Sequence, residues 1–549
     1  MRWVHAALGA GAVACAVAFG AGPADAATAT YRITKTTWTE ADERGFGEFV
    51  QAIGESGCST TDKCLKSPAN PYRGTDPAGI SWYADCADLP YVLRAYYAWK
   101  NGLPFSYVTA VSPVGRSRDI RYAASGNRPT ARRDFLTGEV AGATLVRSVP
   151  GISSAMFRIH PDYDDASLPS DLYSAAINRD SIRPGTVVYD PNGHLAVVYK
   201  VEDDGRILMI DAHPDNTISR ISYGRKFVRA RPSMGAGFKN WRRLTLEGAT
   251  KAADGSYVGG RIVAASNAEH DDFGTEQFFG TEARGEDYDS WTDSVFVHNE
   301  EQVDYYDFVR RRIAKGDLKY EPVTEMRNMM RSLCDDIRYR AEAVDIAIAN
   351  GIHQRAQPAS LPANIYGTDG DWELYSTPSR DARLKTAFKE KRDLVEEYVK
   401  LWRMDSPRVT YGGADLVGEL LAAYDDEAAK CSVTYTNSAG SPVTLGYEDV
   451  RARLFRLSFD PYHCVEHRWG AEGAEAATCT DGQTKRDWYE AEQYLRNQID
   501  RTYDAFMGFG LGELRAGPGP GKGVADAPDV DLRGWLVANR GLTRAGSAQ

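Results

Sequence analysis

The chain has 549 residues, of which 43% are hydrophobic and 26% are charged, and its formal net charge is -11 at pH 7. This length exceeds that of one ordinary hydrophobic core, so two or three domains are expected. The negative charge argues against a dedicated nucleic-acid-binding protein, because such proteins concentrate positive charge to displace counterions from phosphates.

Residues 1–26 have the pattern of a secretory signal peptide. Arg2 precedes an apolar run of small residues, and Ala24-Asp25-Ala26 follows as a small-residue cleavage pattern, which predicts cleavage after Ala26. Lipoprotein processing at Cys15 is an alternative, although the apolar run continues past this residue. No later segment has the roughly 18 uninterrupted apolar residues that a membrane span needs. We therefore expect a secreted or periplasmic protein without a membrane span.

The cysteine count predicts one free thiol. Removal of the signal peptide takes away Cys15 and leaves seven of the eight cysteines, so at least one stays unpaired in an oxidising compartment. The expected pairs are Cys58 with Cys64, Cys464 with Cys479 and, by elimination, Cys334 with Cys431. The count does not force this connectivity, but it leaves Cys86 as the free cysteine.

The stretch from Asn70 to Phe105 places Cys86 where a turn-rich run changes to a helical pattern. Apolar residues then recur every three to four positions, which predicts a helix with one buried face. A thiol at its N-terminus faces the positive end of the helix dipole, so we expect a pKa lowered from about 8.5 toward roughly 3.5 to 7.5. Asp85 and Asp88 are expected to cap this helix.

Residues 182–213 predict three strands joined by two tight turns. RPGTVVYD, HLAVVYKV and RILMIDAH are the strand-like runs. Asn192-Gly193 and Asp204-Gly205 separate them, and such pairs are strong hairpin signals. We expect an antiparallel meander here.

Three polar residues lie at related positions of this meander. His194 opens the middle strand, while Asp211 and His213 lie near the end of the third. If the second turn pairs Val201 with Arg206, His194 lies opposite His213 and diagonal to Asp211 on one face of the sheet. Either residue is then a candidate partner for His194.

Two segments of opposite charge follow. Residues 225–243 hold seven Lys or Arg and no acid, and we interpret them as the exposed edge of a sheet, with a contact surface for an anionic cell-wall polymer as the alternative. Residues 251–300 are expected to form an acidic connecting region. The acids of residues 266–304 lack the spacing of a calcium loop, so we expect a solvated surface.

Residues 301–510 predict a helical domain stapled by two disulfides. Apolar stripes run from Met326 to Ile348, from Leu384 to Trp402 and from Trp488 to Phe506, and such stripes are typical of a helical core. Residues 511–549 are expected to be linker and tail.

One motif of this half has metal-ligand spacing. HCVEH places His463 and His467 four residues apart on either side of Cys464. Because an exported cysteine is expected to be oxidised, it is not available as a thiolate ligand. We therefore predict no metal and no cofactor.

Cys86, His194 and Asp211 supply the residue types of a thiol-dependent catalytic site. Such a site needs a nucleophilic sulfur, a base within hydrogen-bonding reach and a third group that fixes the tautomer of the base. The alternative is a buried structural cysteine with two unrelated polar residues.

These stretches resemble the NlpC-type cell-wall peptidases. PYRGTDPAG followed by DCADL is similar to the family's P-Y-x-x-G-G and D-C-S-G, and RPGTVVYDPNGHLAVVY is similar to R-P-G-D-L-V-F-F and H-V-G-I-Y. The resemblance implies a papain-like α+β fold and cleavage of amide bonds in peptidoglycan stem peptides. It implies Cys86 as nucleophile, His194 as base, Asp211 as orienting acid and Tyr72 as a tyrosine that helps bind the oxyanion.

Two alternatives stay open. DCADLPYVLRAYYAWKNGLPFSYV also resembles the transglutaminase core, a cysteine with a helix and then G-[LI]-P-x-x-Y-V, which implies protein crosslinking or deamidation by the same three residues. Ala87-Asp88 replaces the Ser-Gly after the nucleophile, which leaves a non-catalytic cell-surface binding protein as a third hypothesis. The leading expectation is a papain-like catalytic domain with an insertion over residues 27–250, acting on peptidoglycan or another cell-surface peptide.

Overall fold

The computed structural model describes residues 30–282, 290–367, 370–502 and 505–544. The predicted signal peptide and Cys15 lie outside these residues. No helix within the described part of the chain combines the length and apolarity needed to cross a membrane. Helices and antiparallel sheets both occur, so the α+β class predicted from the sequence is confirmed.

Most strands lie before residue 304, whereas most helices lie after residue 320. The strands are β1 Phe105–Pro113, β2 Asn127–Phe135, β3 Leu172–Ser174, β4 Val187–Asp190, β5 His194–Val201, β6 Ile207–Ala212, β7 Ile218–Ser222, β8 Gly237–Trp241, β9 Leu244–Glu247, β10 Thr250–Lys251, β11 Tyr257–Val258, β12 Arg261–Ala264, β13 Phe296–His298, β14 Glu301–Val303, β15 Ser432–Thr436 and β16 Pro442–Gly446. The helices before residue 320 are α1 Glu40–Glu55, α2 Thr61–Lys66, α3 Asp88–Asn101, α4 Gly142–Arg147, α5 Glu276–Phe279 and α6 Tyr305–Ile313. Those after it are α7 Pro322–Ala349, α8 Asp371–Tyr375, α9 Pro378–Arg403, α10 Leu416–Ala429, α11 Tyr447–Arg453, α12 Val465–Arg468, α13 Gly473–Ala476, α14 Gln483–Ala491, α15 Gln493–Asn497, α16 Leu511–Arg515 and α17 Leu532–Ala538.

An antiparallel sheet in the order β3-β8-β4-β5-β6-β7 is the centre of the first half. Strands β4, β5 and β6 form the predicted meander. Gly193 and Gly205 in its turns have φ of 81° and 78°, a region that glycine enters without steric cost. A Cβ at Gly205 would also lie 2.1 Å from the carbonyl oxygen of Arg310, so this turn additionally permits close approach of α6.

Helices cover both faces of this sheet. On one face, α1 and α3 form a core with alternate strand residues such as Val187 and Val197. On the other face, α6 packs against the intervening residues, such as Val188 and Val198. The alternation follows from the period of two along a strand. The α3 helix, which follows Cys86, is thereby fixed against the sheet that carries His194.

The described part of residues 251–313 belongs to this first half. Strand β12 pairs with β9, and Asp272 accepts hydrogen bonds from Arg183 at 3.1 Å and from Asn240 at 3.0 Å. Helix α6 packs on the sheet although the sequence assigned residues from 301 onward to the helical domain. The described part of the acidic region, residues 251–282 and 290–300, therefore packs with the sheet, residues 283–289 lie outside the described residues, and the helical half begins after α6.

The helical half is built around α7, α9 and α10. Five residues of the first predicted stripe are buried in one core, and these are Met326, Met330, Leu333, Ile337 and Val344. The third stripe is wrong as a single helix. The chain leaves the helix after Asn497, whose side-chain amide donates to the carbonyls of Val524 and Ala525, and Phe506 is 65% exposed.

The segment expected to be linker and tail contains a packed helix. In α17, Leu532 and Leu536 are fully buried and contribute to the core that α7, α9 and α10 share. Arg533 of the same helix pairs with Asp425 of α10 at 2.8 Å. Two leucines four residues apart are enough to dock this short helix onto an existing apolar surface.

The disulfides agree with the cysteine count. The bonded pairs are Cys58 with Cys64, Cys334 with Cys431 and Cys464 with Cys479. Cys86 is the free cysteine of the described residues. The predicted connectivity is confirmed.

The interpretation of the basic segment 225–243 as the exposed edge of a sheet is wrong. Its strand β8 lies between β3 and β4 inside the sheet. Lys226, Lys239 and Arg242 are each at most 5% exposed. Internal acceptors satisfy two of these cations, since Lys226 pairs with Asp336 at 3.2 Å and Arg242 donates to side-chain and backbone oxygens. These three positive charges are therefore used inside the protein, whereas Arg225, Arg231 and Arg243 of the same segment are exposed. The contact surface for an anionic polymer stays a prediction.

Candidate active site

The start of α3 fixes the position of the Cys86 thiol. Helix α3 begins at Asp88, and the Asp85 carboxylate accepts hydrogen bonds from the backbone N–H of Ala87 and of Asp88, at 2.9 and 3.0 Å. This is the cap that the sequence predicts for Asp85. The Cys86 thiol donates to the carbonyl oxygen of Gly193 at 3.8 Å. The sulfur therefore lies beside the turn that leads into β5.

A bulge in β5 sets the position of His194. At the turn, Val201 pairs with Ile207, one residue away from the predicted partner. A bulge between Val198 and Lys200 shifts the pairing by one residue and so removes this offset. From Val198, which pairs with Met209, the strands continue in the predicted register. His194 and Asp211 consequently share one face, and Nε2 of His194 lies 2.5 Å from Oδ2 of Asp211.

Asp211 also joins His213 to the site through a serine. The hydroxyl of Ser219 donates to Oδ1 of Asp211 at 2.6 Å and is hydrogen-bonded to Nε2 of His213. His213 itself lies 3.7 Å from Asp211, and its ring is 6.0 Å from that of His194. Of the two candidate partners of His194, Asp211 makes the direct contact.

Burial controls the charge of the cysteine and the histidine. Burial, and then the charge of Asp85, raises the pKa of Cys86 well above its usual value. Burial and the charge of Arg383 lower the pKa of His194, although its bond to Asp211 opposes this shift. Burial alone would raise the pKa of Asp211, but the neighbouring histidines hold it well below its usual range. The resting pair is thus a neutral thiol and a neutral imidazole beside a carboxylate.

This charge state differs from the thiolate that the helix dipole predicts. The first free amide groups of α3 are already bound by the Asp85 carboxylate. The same carboxylate places negative charge next to the sulfur, which disfavours ionisation of the thiol. Asp85 therefore stabilises the helix and simultaneously opposes formation of the thiolate.

Cys86 and His194 line one cavity of about 410 Å³. The first half contributes residues from the start of α3, the loop 151–154, the turn before β5 and the end of β6. The loop is fixed to α3 because Oδ1 of Asp88 accepts hydrogen bonds from the backbone N–H of Gly151 and Ile152, at 2.9 and 3.0 Å. A space of this size matches the usual range of small-ligand sites, about 300 to 1,000 Å³.

The helical half supplies the opposite wall of this cavity. Its lining residues include Tyr366, Trp372, Thr377, Arg380 and Arg383. Arg380 pairs with Asp215, which follows β6, at 3.5 Å. This wall could not be predicted from the sequence, because Arg380 and Arg383 lie in the first turns of a predicted core helix without any motif around them.

The structure does not bring Tyr72 to this site. Its hydroxyl is hydrogen-bonded to Oδ1 of Asn101 at 3.4 Å, at the far end of α3, and its ring packs against Phe49 and Tyr97. The 14 residues of α3 span about 20 Å. Tyr72 is therefore a half-buried residue that packs against the core at the opposite end of the helix, and the oxyanion role expected from the motif is not supported.

Two groups of side chains in the described residues have the composition of metal sites. The first contains Cys464, His467, Cys479 and Asp481, and the second contains Asp460, His463 and Glu492. The two cysteines of the first group are joined in a disulfide, so their sulfurs are not available as thiolates. The second group is fully buried. Burial and the charge of Asp460 raise the pKa of Glu492 well above its usual value, although the Arg496 guanidinium 3.8 Å away opposes this shift.

Comparisons with protein-family models, with curated proteins and with solved structures give no match for this chain.

Proposed function

We propose that the chain is an exported thiol hydrolase that cleaves amide bonds through Cys86, His194 and Asp211. One observation carries the proposal, namely that the only free cysteine of the described residues shares a cavity with a histidine bound to a buried carboxylate. The nucleophile precedes a helix that packs on an antiparallel sheet, and the other two residues lie on adjacent strands. This arrangement supports the papain-like domain that the motifs imply.

Acylation begins from the neutral pair. Asp211 accepts from Nε2 of His194, which fixes the tautomer and leaves Nδ1 to receive a proton. As the Cys86 sulfur attacks the substrate carbonyl carbon, Nδ1 takes the thiol proton, a carbon–sulfur bond forms and the carbonyl electrons move to oxygen. Because the pKa of Cys86 is raised, proton transfer accompanies attack instead of preceding it.

Collapse of the tetrahedral intermediate breaks the carbon–nitrogen bond. His194 returns its proton to the leaving amine, and a thioester to Cys86 remains. Water then attacks the thioester while His194 accepts a proton from it, and this step releases the carboxylic acid and restores the thiol. The backbone N–H of Cys86, just before the start of α3, is the donor that we assign to the developing oxyanion.

Peptidoglycan stem peptides are the proposed substrate. The support is the motif resemblance together with the three disulfides, which are typical of proteins that work outside the cytoplasm. The wall that the helical half adds to the cavity is consistent with selection of one part of such a peptide.

The test offers purified stem peptides, or a glutamine-containing protein with a primary amine, to wild type and to Cys86→Ala. We expect the wild type alone to release fragments that carry a new carboxyl group and a new amine, detected by mass spectrometry. Incorporation of the amine into the protein would instead support a transglutaminase-like activity. Absence of turnover on both substrates, with Cys86 reactive toward iodoacetamide, would contradict the enzymatic proposal and favour a binding protein.

A further inference from the structure

Arg383 is a buried cation at the candidate active site, and its Nη1 atom has no hydrogen-bond partner in the described part of the chain. It lies in the second turn of α9, is 9% exposed and lines the cavity that contains Cys86 and His194. A buried donor that lacks a partner costs free energy, more so when it is charged. Such a group is expected to obtain its partner from a ligand.

The two carboxylates whose charges act on Arg383 are already bound to other side chains. Its charge interacts with those of Asp211 and Asp190. Asp211 is bound to His194, and Asp190 is bound to Arg501. Burial and the charge of Arg501 lower the pKa of Arg383 to about 10, so the guanidinium is still protonated at neutral pH. Its positive charge is therefore available to an incoming anion.

The surroundings of Arg383 add to this preference for an anion. The start of α9, a helix of 26 residues, lines the cavity through Pro378 and Ser379, and the N-terminus of a helix carries a partial positive charge. Arg380 lies on the same wall and is paired with Asp215. On the opposite wall, the carboxylate of Asp85 is held by the cap of α3.

We propose that this wall binds a carboxylate of the substrate, through the Arg383 guanidinium and the start of α9, while Cys86 attacks an amide bond nearby. The inference rests on the proposed hydrolase function and specifies its substrate class, which is an amide compound with a free carboxylate. A planar carboxylate matches the fork of donors on an arginine and forms two parallel hydrogen bonds with it. A phosphate could use the same donors, so the test separates the two anions.

The first experiment measures the charge preference of Cys86 without requiring turnover. The protein is alkylated with iodoacetate, which carries a carboxylate, and with neutral iodoacetamide, and the ratio of the two rate constants is determined. Arg383→Met is expected to lower this ratio roughly tenfold, because it removes a charge-assisted hydrogen bond to the reagent. Arg383→Lys restores part of the ratio. Arg403→Met is the matched control, because Arg403 is an exposed arginine at the other end of the same helix.

The second experiment detects binding directly. Saturation-transfer NMR is recorded with N-acetylglycine, which has an amide and a carboxylate, and with its neutral relative N-acetylglycinamide. We expect a signal from N-acetylglycine with wild type and Arg403→Met, a loss of about tenfold in affinity with Arg383→Met, and no signal from the neutral compound. If inorganic phosphate displaces N-acetylglycine at a lower concentration than acetate does, the carboxylate assignment is wrong.

The outcomes distinguish the two proposals. A ratio of alkylation rates that is the same in wild type and Arg383→Met, together with equal binding of N-acetylglycine, overturns the carboxylate site even where amide hydrolysis is observed. Conversely, the protein could bind a carboxylate in a manner that depends on Arg383 and yet hydrolyse no amide. This result would support the carboxylate site and overturn the proposed hydrolase function. If Arg383 serves only to offset the charge of Asp211, its loss changes turnover number and leaves the affinity for N-acetylglycine unchanged.

Discussion

His194 is connected to a second histidine through two intervening side chains. The order of contacts is His194, Asp211, Ser219 and His213, and all four residues are buried. Asp211 accepts from both sides, so its negative charge is shared by the imidazole and the serine hydroxyl. This network explains why a carboxylate is retained at a position that is 1% exposed.

His213 makes stability depend on pH. Burial, and then the charge of Arg380, lowers its pKa to about 3, while in the unfolded chain the pKa is about 6.5. Between these values the unfolded state binds more protons, so the free energy of unfolding decreases as pH falls, by about 1.4 kcal/mol per pH unit for one histidine. Above pH 6.5 His213 is neutral in both the folded and the unfolded state, so it no longer makes the free energy of unfolding depend on pH.

His213→Gln removes this titration and keeps a hydrogen-bonding side chain beside Ser219. We expect a change from pH 6 to pH 5 to cost the variant about 1 kcal/mol less than the wild type, measured by urea unfolding at both values. An identical pH dependence of the two proteins would show that His213 is protonated in the folded state.

Tyr72 provides a test of the corrected site. Since its hydroxyl contacts Asn101 at the far end of α3, we expect Tyr72→Phe to leave the turnover number within about twofold of wild type, whereas removal of a true oxyanion donor costs about 10²-fold to 10³-fold. Steady-state kinetics on the substrate identified above give the comparison. A hundredfold decrease in turnover number with an unchanged melting temperature would show that Tyr72 takes part in catalysis.

At the scale of one element, the start of α3 combines two opposed effects. The Asp85 carboxylate completes the helix by binding two of its amide groups, and its charge raises the pKa of the adjacent thiol. Asn is as good a cap as Asp because its side-chain oxygen accepts the same bonds. The structural and electrostatic effects of Asp85 can therefore be separated by one substitution.

Asp85→Asn is expected to make Cys86 more acidic. Loss of one nearby negative charge favours the thiolate, and we expect the midpoint of the alkylation rate against pH to move down by about one unit. Iodoacetamide alkylation followed by mass spectrometry measures this midpoint. Glu48→Gln, at an exposed position of α1, is the control and should leave it unchanged. A midpoint that stays the same in Asp85→Asn would show that burial alone sets the pKa.

At the scale of the whole molecule, the helical half completes the cavity. Helix α9 supplies Arg380 and Arg383 to the wall that faces Cys86, and further contacts tie the halves together, among them Lys226 with Asp336 at 3.2 Å. The Cys334–Cys431 disulfide joins α7 to the end of α10 within this half, across 97 residues of sequence. The integrity of the cavity wall therefore depends on the stability of the helical half.

Replacement of Cys334 and Cys431 by alanine is expected to destabilise the helical half more than the loss of the Cys58–Cys64 pair destabilises the first half. Chain entropy gives about 4 to 5 kcal/mol for a loop of 97 residues and about 2 kcal/mol for one of six. Urea unfolding of the two double variants measures the difference. We also expect Cys86 of the first variant to become reactive at lower urea concentration, because its wall unfolds. Equal destabilisation by the two replacements would contradict the argument.

The features that depend on local pattern could be predicted from the order of residues alone. Hydrophobic spacing predicted α3 and most of the α7 stripe, the glycine turns predicted β4 to β6, and the cysteine count predicted the free thiol at Cys86. These signals are local because helix and strand periods act over a few residues. Strand alternation also limits which residues share a face. Asp211 could therefore be predicted as one of two candidate partners of His194.

The distant segments that surround Cys86 became visible in the folded protein and could not be predicted. Folding placed Arg383 and the start of α9, almost 300 positions along the chain, in the wall of the cavity that Cys86 lines. It placed Tyr72, which is near in sequence, at the other end of α3. It also buried the basic strand β8 and docked α17 on the helical core. Such contacts arise from packing between segments far apart in sequence, and no periodicity or motif encodes them. The candidate nucleophile and the candidate base were thus predictable from local pattern, whereas the cavity wall that contains Arg383 results from the packing of the two halves.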